Sequence, residues 1–276
     1  MWCDQVQTQR FERKYLITET QALLARELVR CYLTQDVHAK TGHDGYSYCV
    51  HSVYLDSPDL LTYWAWMCCE KKRFKLRIRY YDESSDSPLF FEIKRRVDDC
   101  IFKQRALVRR SAVPSLLGGQ LPGPEHLVDN GPDALAALQR FCELVHRLDA
   151  RPVLHIGYLR EAWVSSRGNS VRVTFDRRVC AGLKRAPDFS TQMPQTVSPF
   201  GTHVILELKF TDRFPDWLRD MVQRLNLIAS GVAKYCTSVS ALFGEQATAY
   251  APVGLKQKLA LLNISWQDTT SSLPHK

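Results

Sequence analysis

Three segments between residues 74 and 108 decide the fold: Phe74-Lys75-Leu76-Arg77-Ile78-Arg79-Tyr80-Tyr81, Leu89-Phe90-Phe91-Glu92-Ile93-Lys94-Arg95 and Ile101-Phe102-Lys103-Gln104-Arg105-Ala106-Leu107-Val108. In each, apolar and charged residues alternate, and a period of two is that of a β-strand with unlike faces. The turn-rich stretches Asp82 to Pro88 and Asp98-Asp99 separate them, so the spacing predicts an antiparallel meander. One face carries Leu76, Ile78, Tyr80, Phe91 and Ile93. The other carries Lys75, Arg77, Arg79, Glu92, Lys94, Lys103 and Arg105.

The same alternation returns at both ends of the chain, as Arg10-x-Glu12-x-Lys14 near the start and Glu207-x-Lys209 later. Opposite these charges stand Phe11 and Tyr15, and Leu206, Leu208 and Phe210. Further strands are expected from Tyr46 to Leu55, Val153 to Val164, Val171 to Val179 and His203 to Phe210. Thr18 is a suitable N-cap for a helix ending near Leu33, with Leu23, Leu24, Leu28, Cys31 and Tyr32 as its expected buried stripe. Leu60 to Cys69 reads as a short helix with Cys68-Cys69 in the core. Pro132 opens a helix reaching Leu148, and Pro215 one reaching about Leu227. Residues 118–132 and 185–202 read as loops. The expected division is a domain over 1–245 and a partly disordered tail over 246–276.

Charged faces on four or five strands, with several helices to cover the apolar side, predict an α+β fold: a closed antiparallel β-barrel with a polar, basic interior and helices packed outside. The bland alternative for any one strand is a charged face meeting water. Collecting the inward candidates gives Arg10, Lys14, Lys75, Arg77, Arg79, Lys94, Lys103, Arg105, Arg160, Arg172, Lys209 and Lys234, against Glu12, Glu92, Asp176 and Glu207. Like charges about 6 Å apart repel by roughly 3 kcal/mol per pair at an effective dielectric of about 20, so removing Arg77 or Lys14 from the empty face is expected to leave stability unchanged or raised. A chain of phosphates would offset the repulsion, since arginine forks match phosphate oxygens and lysines act as point charges. The glutamates have two readings, internal ion pairs or ligands of a divalent cation.

The composition agrees with an anionic ligand. Of 276 residues, 45% are hydrophobic, and 37 lysines and arginines against 29 acidic residues leave a net charge of +8. Nine cysteines without a C-x-x-C pair suggest neither a zinc ribbon nor a disulfide scaffold, and point to a reducing, cytoplasmic location. The most apolar stretch, Leu60 to Cys69, is half the roughly 20 residues that a membrane span needs. His51 and His155 are expected to be packed or surface residues, and Trp64, Trp66 and Trp217 packing residues. No nucleic acid is expected as a partner, because Phe11, Tyr15, Phe91 and Phe210 alternate away from the basic face.

Taken in order, the motifs resemble a family. They are Arg10-Phe-Glu12-Arg-Lys14-Tyr15, Ser52-Val-Tyr54-Leu-Asp56, Lys75-Leu-Arg77-Ile-Arg79-Tyr80, Phe91-Glu92-Ile-Lys94, Arg151-Pro152, Tyr158-Leu-Arg160-Glu-Ala-Trp163, Val171-Arg172-Val-Thr-Phe-Asp176, Leu206-Glu207-Leu-Lys209 and Ala233-Lys234-Tyr235. From about residue 9 to 240 the chain resembles the vacuolar transporter chaperone (VTC) type polyphosphate polymerase domain of the triphosphate tunnel metalloenzyme (CYTH-like) superfamily. The adenylate cyclase and thiamine triphosphatase branch opens with Glu-x-Glu-x-Lys, and Arg10 in place of the first glutamate favours the VTC branch. Ala233 stands where a serine is usual.

The resemblance implies a phosphotransferase, of polyphosphate kinase type, that moves the γ-phosphate of ATP to a growing inorganic polyphosphate chain. Lys14, Arg77, Arg79, Lys94, Arg160, Arg172 and Lys234 would line the catalytic tunnel. Arg10, Lys75, Lys103, Arg105, Tyr158 and Lys209 would bind substrate, while Glu207 and Glu12 hold Mn2+ or Mg2+. A tripolyphosphatase or nucleoside triphosphatase of the same fold, and a non-catalytic polyphosphate-binding module, are the alternatives. Membrane association would come through a membrane-protein partner encoded separately.

Overall fold

One antiparallel sheet organises the chain, which a computed structural model describes over residues 10–41, 44–98, 100–129, 131–166, 170–211 and 213–262. Its strands are β1 (Arg10–Ile17), β2 (Thr34–Gln35), β3 (Ser47–Asp56), β4 (Lys72–Tyr80), β5 (Leu89–Val97), β6 (Cys100–Val108), β7 (Arg151–Val164), β8 (Val171–Leu183) and β9 (Val204–Thr211). The order across the sheet is β1-β9-β8-β7-β3-β4-β5-β6, and the two-residue β2 pairs with β7. The expected meander is β4–β5–β6, in register Arg77↔Glu92↔Arg105.

The expected barrel is not closed by hydrogen bonds: among the described residues the ladder ends at β1 and β6. Nevertheless the sheet curls. Six strand spacings separate β1 from β5 along the ladder, about 29 Å if flat, yet Lys94 Nζ on β5 lies 3.3 Å from Glu12 Oε1 on β1. Only the charged face can be the concave one. Between the unpaired edges a cleft of about 460 Å³ remains, lined by Phe11, Glu12, Arg96, Ile101, Phe210 and Phe214 among others. Phe11, expected on the packed side, is 45% exposed there because β1 is an edge strand; it stacks on Phe210 at 5.5 Å.

Among the described residues seven α-helices accompany the sheet: α1 (Glu19–Val29), α2 (Leu61–Met67), α3 (Val113–Leu117), α4 (Pro132–Leu148), α5 (Asp216–Arg224), α6 (Lys234–Phe243) and α7 (Leu255–Leu261). Thr18 caps α1 through the backbone N–H of Gln21, whose side chain answers in a reciprocal capping box. The stripe of α1 differs from the expected one. Ala22, Ala25 and Val29 are buried against Val173, Phe175 and Leu206, while Leu23, Leu24 and Tyr32 are exposed. Small residues let the helix backbone approach the sheet. Helix α4 packs Leu138, Phe141 and Leu144 on β5 and β6, with Phe141 and Phe91 rings 4.7 Å apart. Cys68 and Cys69, expected in the core, are exposed in the turn that ends α2.

Beyond residue 245, Leu259 of α7 and Leu262 are buried in the same cluster as Phe141 and Phe91. The expected disorder of the last ten residues falls outside the described residues. The segment 184–203 crosses β8 so closely that a Cβ at Gly182 would come within 2.7 Å of the Gln195 carbonyl. Beneath this segment, on the convex face, His51 Nδ1 lies 3.0 Å from His155 Nε2, and Tyr80 Oη donates to the Ser190 carbonyl at 2.7 Å. Both histidines are buried there.

Candidate functional site

The concave face is built by alternation. On β3 the inward residues are Tyr48, Val50, Ser52 and Tyr54, facing Arg77 and Arg79 on one side and Tyr158 and Arg160 on the other. One end is apolar: Leu154, Ile156, Val179, Ala181 and Ile205 bury Tyr235, Cys236 and Val239 of α6, which lies across it. Asp56 fixes that helix. Its fully buried carboxylate accepts from the Ser57, Thr62 and Tyr63 N–H groups, from Thr62 Oγ1 and from Tyr235 Oη at 2.7 Å.

The rest of the face is charged, and its carboxylates form three nodes. Glu92 is 1% exposed; Arg77 reaches it at 2.6 Å, Lys103 binds its other oxygen and Arg79 Nε stands 4.0 Å away. Arg77 also donates to Tyr54 Oη at 3.3 Å and Arg79 to Tyr158 Oη at 3.2 Å. Asp176 accepts a two-pronged pair from Arg160, both at 2.7 Å, and Lys234 at 2.6 Å. Glu12 and Glu207 form the third node. Lys14 lies 3.0 and 3.8 Å from them, Lys209 lies 3.8 and 3.4 Å away, and Lys94 reaches Glu12 across the seam.

The remaining predicted residues lie around these nodes. Arg172 turns to Asp36 at 2.7 Å, a partner that the sequence reading missed because Asp36 precedes a short 3-10 segment rather than sitting on a charged strand. Lys75 donates to Cys236 Sγ at 3.0 Å beneath the Trp66 and Tyr235 rings. Arg105 lies over the Phe90 ring at 5.1 Å. Arg10 is the first residue of β1, opposite Thr211, and its side chain falls outside the described residues. Tyr54 and Phe90 share the basic face and were also missed, although the alternation through Ser52 and Glu92 is the signal that places them there.

The electrostatics show how far the face is compensated. Burial pushes the Glu207 and Glu92 carboxyls up, but the cations outweigh it and hold both well below the carboxylate range. Asp176 is held at about 2, Arg160 and Lys234 overcoming its burial. Conversely, burial and then Lys14 push the Lys94 amine down to about 7. Lys103 falls to about 8, burial and Arg77 outweighing Glu92. The expected repulsion is thus relieved at Arg77 and Lys14, which face carboxylates, and persists at two lysines near the seam. An anion there would raise both amines toward their ordinary value.

Among the described residues no three His, Cys, Asp or Glu side chains converge as a metal cage. Glu12 and Glu207 lie on either side of Lys14 and close enough for Glu207 to push the Glu12 carboxyl up. Two carboxylates are a fitting donor set for Mg2+ or Mn2+ when phosphate oxygens and water complete the shell, because such ions rarely take an all-protein cage.

A family model described as VTC domain matches residues 9–243. No curated protein matches the chain. Among solved structures it is similar to a "putative adenylate cyclase" from Bacillus halodurans, with 11% identity and a TM-score of 0.49, over 87% of this chain and 100% of that one. It is also similar to the PH1819 protein of Pyrococcus horikoshii OT3, with 12% identity and a TM-score of 0.41, over 82% of this chain and 96% of that one.

Proposed function

This chain belongs to the VTC domain family, and from that premise we propose that it is a phosphotransferase moving the γ-phosphoryl group of ATP onto the end of an inorganic polyphosphate chain. The observation that carries the proposal is the concave face, where lysines and arginines outnumber the carboxylates and the amines of Lys94 and Lys103 are held below their ordinary value despite their pairs with Glu12 and Glu92. A polyanion is the ligand class that such a face stabilises.

In this reading Arg77, Arg79 and Arg160 grip phosphate oxygens with orientation already set by Glu92, Tyr158 and Asp176. Lys14, Lys94 and Lys234 supply point charges to the transferring group, and Arg172 holds its outer end. Lys75, Lys103, Arg105, Lys209, Tyr158 and Arg10 bind the remaining phosphates. Glu207 and Glu12 would hold Mg2+ or Mn2+, which supplies neutralisation of phosphate charge when bound. The terminal phosphate of the acceptor is already ionised, so transfer needs positioning and charge stabilisation rather than a strong base. Glu12, held below its ordinary value because three lysines outweigh burial and Glu207, is a poor base for activating water.

Coupling to a membrane is assigned to a separate partner; among the described residues no helix is long and apolar enough to cross one. The test is to incubate the full chain with ATP and Mn2+ and to follow long polymer on a gel beside free orthophosphate. Polymer with ADP, lost in Glu207→Gln, supports the transferase. Orthophosphate or tripolyphosphate without polymer replaces it with a triphosphatase, and no product with retained polyphosphate binding makes the chain a binding module.

A further inference from the structure

We infer that the open rim of the concave face docks a nucleobase, an inference that rests on reading that face as a triphosphate site. At the end away from α6, the inward position on three neighbouring strands is aromatic: Tyr48 on β3, Tyr81 directly after β4 and Phe90 on β5. Their rings form a continuous lane, with centroids 6.0 Å apart for Tyr48 and Tyr81 and 5.7 Å apart for Tyr81 and Phe90. The contacts are tilted by 55° and 83°, so neither is a parallel stack, and Tyr81 is 40% exposed.

Core packing accounts for one end of the lane, where Tyr48 rests against the cluster around Val50 and Tyr54, but not for the other two rings: Tyr81 and Phe90 belong to none of the three buried apolar clusters. Each ring instead borders a guanidinium: Tyr48 is opposite Arg160, Phe90 is opposite Arg79, and Tyr81 lies two residues beyond Arg79. Two strand residues span about 6.7 Å, the kind of interval that a sugar bridges between a base and its first phosphate. Stacking on tyrosine and phenylalanine tolerates any base, since every base has a π-face. The rim therefore selects nucleoside triphosphates over bare triphosphate without selecting among the bases.

Calorimetric Kd values for ATP and for inorganic tripolyphosphate, on the full chain and on Tyr81→Leu and Tyr81→Phe, test this. Tyr81→Leu should weaken ATP by about tenfold, leave tripolyphosphate unchanged, and Tyr81→Phe should restore ATP binding. Equal loss for both ligands, or none for ATP, overturns the inference. If the unaltered chain binds neither ligand, the triphosphate reading fails and takes the rim with it. If it binds tripolyphosphate as tightly as ATP, only the nucleobase docking fails.

Discussion

Glu92 has almost no contact with solvent, and its two oxygens are divided between Arg77 and Lys103. Truncating Arg77 to alanine leaves that buried carboxylate without one of its two direct cation partners, which costs about 3 kcal/mol. Urea unfolding of Arg77→Ala should show that loss; equal or greater stability would restore the idea of an uncompensated face. Asp176 gives a second outcome. Its folded value of about 2 lies below the ordinary 3.8, so the group adds stability above about pH 4 and loses it as the pH falls toward 2. The contribution is about 2 kcal/mol. In Asp176→Asn, stability at pH 7 should drop and its dependence on pH between 4 and 2 should flatten; an unchanged slope would assign acid lability to other carboxylates.

Among the elements, strands were far more legible than helices. A strand with charge on one side and hydrocarbon on the other fixes both its period and its facing, so β1 and the β4–β5–β6 meander follow directly from residues such as Arg77, Ile78 and Arg79. Helix α1 was misread because Leu23 and Leu24 look like a core face, whereas contact distance to the sheet selects Ala22 and Ala25. Helix α6 was not read at all, although Tyr235, Cys236, Val239, Leu242 and Phe243 recur at helical spacing and pack into one cluster; its Lys234 and Tyr235 were read only as part of a short motif. These placements predict opposite responses on one helix. Leu24→Lys should change stability by less than about 0.5 kcal/mol, while Ala25→Leu should cost about 1–3 kcal/mol by overpacking, as thermal melts will show. Partnership of the strand edges was illegible, because alternation specifies which way β1 and β6 face and not whether they pair.

For the molecule as a whole, the unpaired seam and the two depressed lysines make occupancy a stabilising event. Tripolyphosphate at a hundred times its Kd should add about 2.7 kcal/mol, or about 5–10 °C in Tm. The shift should shrink with added salt, because the open seam lets ions screen part of the attraction between the phosphates and the basic face. No shift at saturating ligand would remove the polyanion reading.

Helix α6 lies across one end of the concave face, with Lys234 and Cys236 turned inward. If the proposed polymerase reading holds and α6 stops that end, a linear product cannot travel forward: every added unit drives the earlier ones back past the doorway through which the next donor must arrive. Arrivals and departures share one threshold. Lengthening then obstructs its own supply, unless the strand of product slips out sideways along the β1–β6 cleft, whose lining includes Glu12.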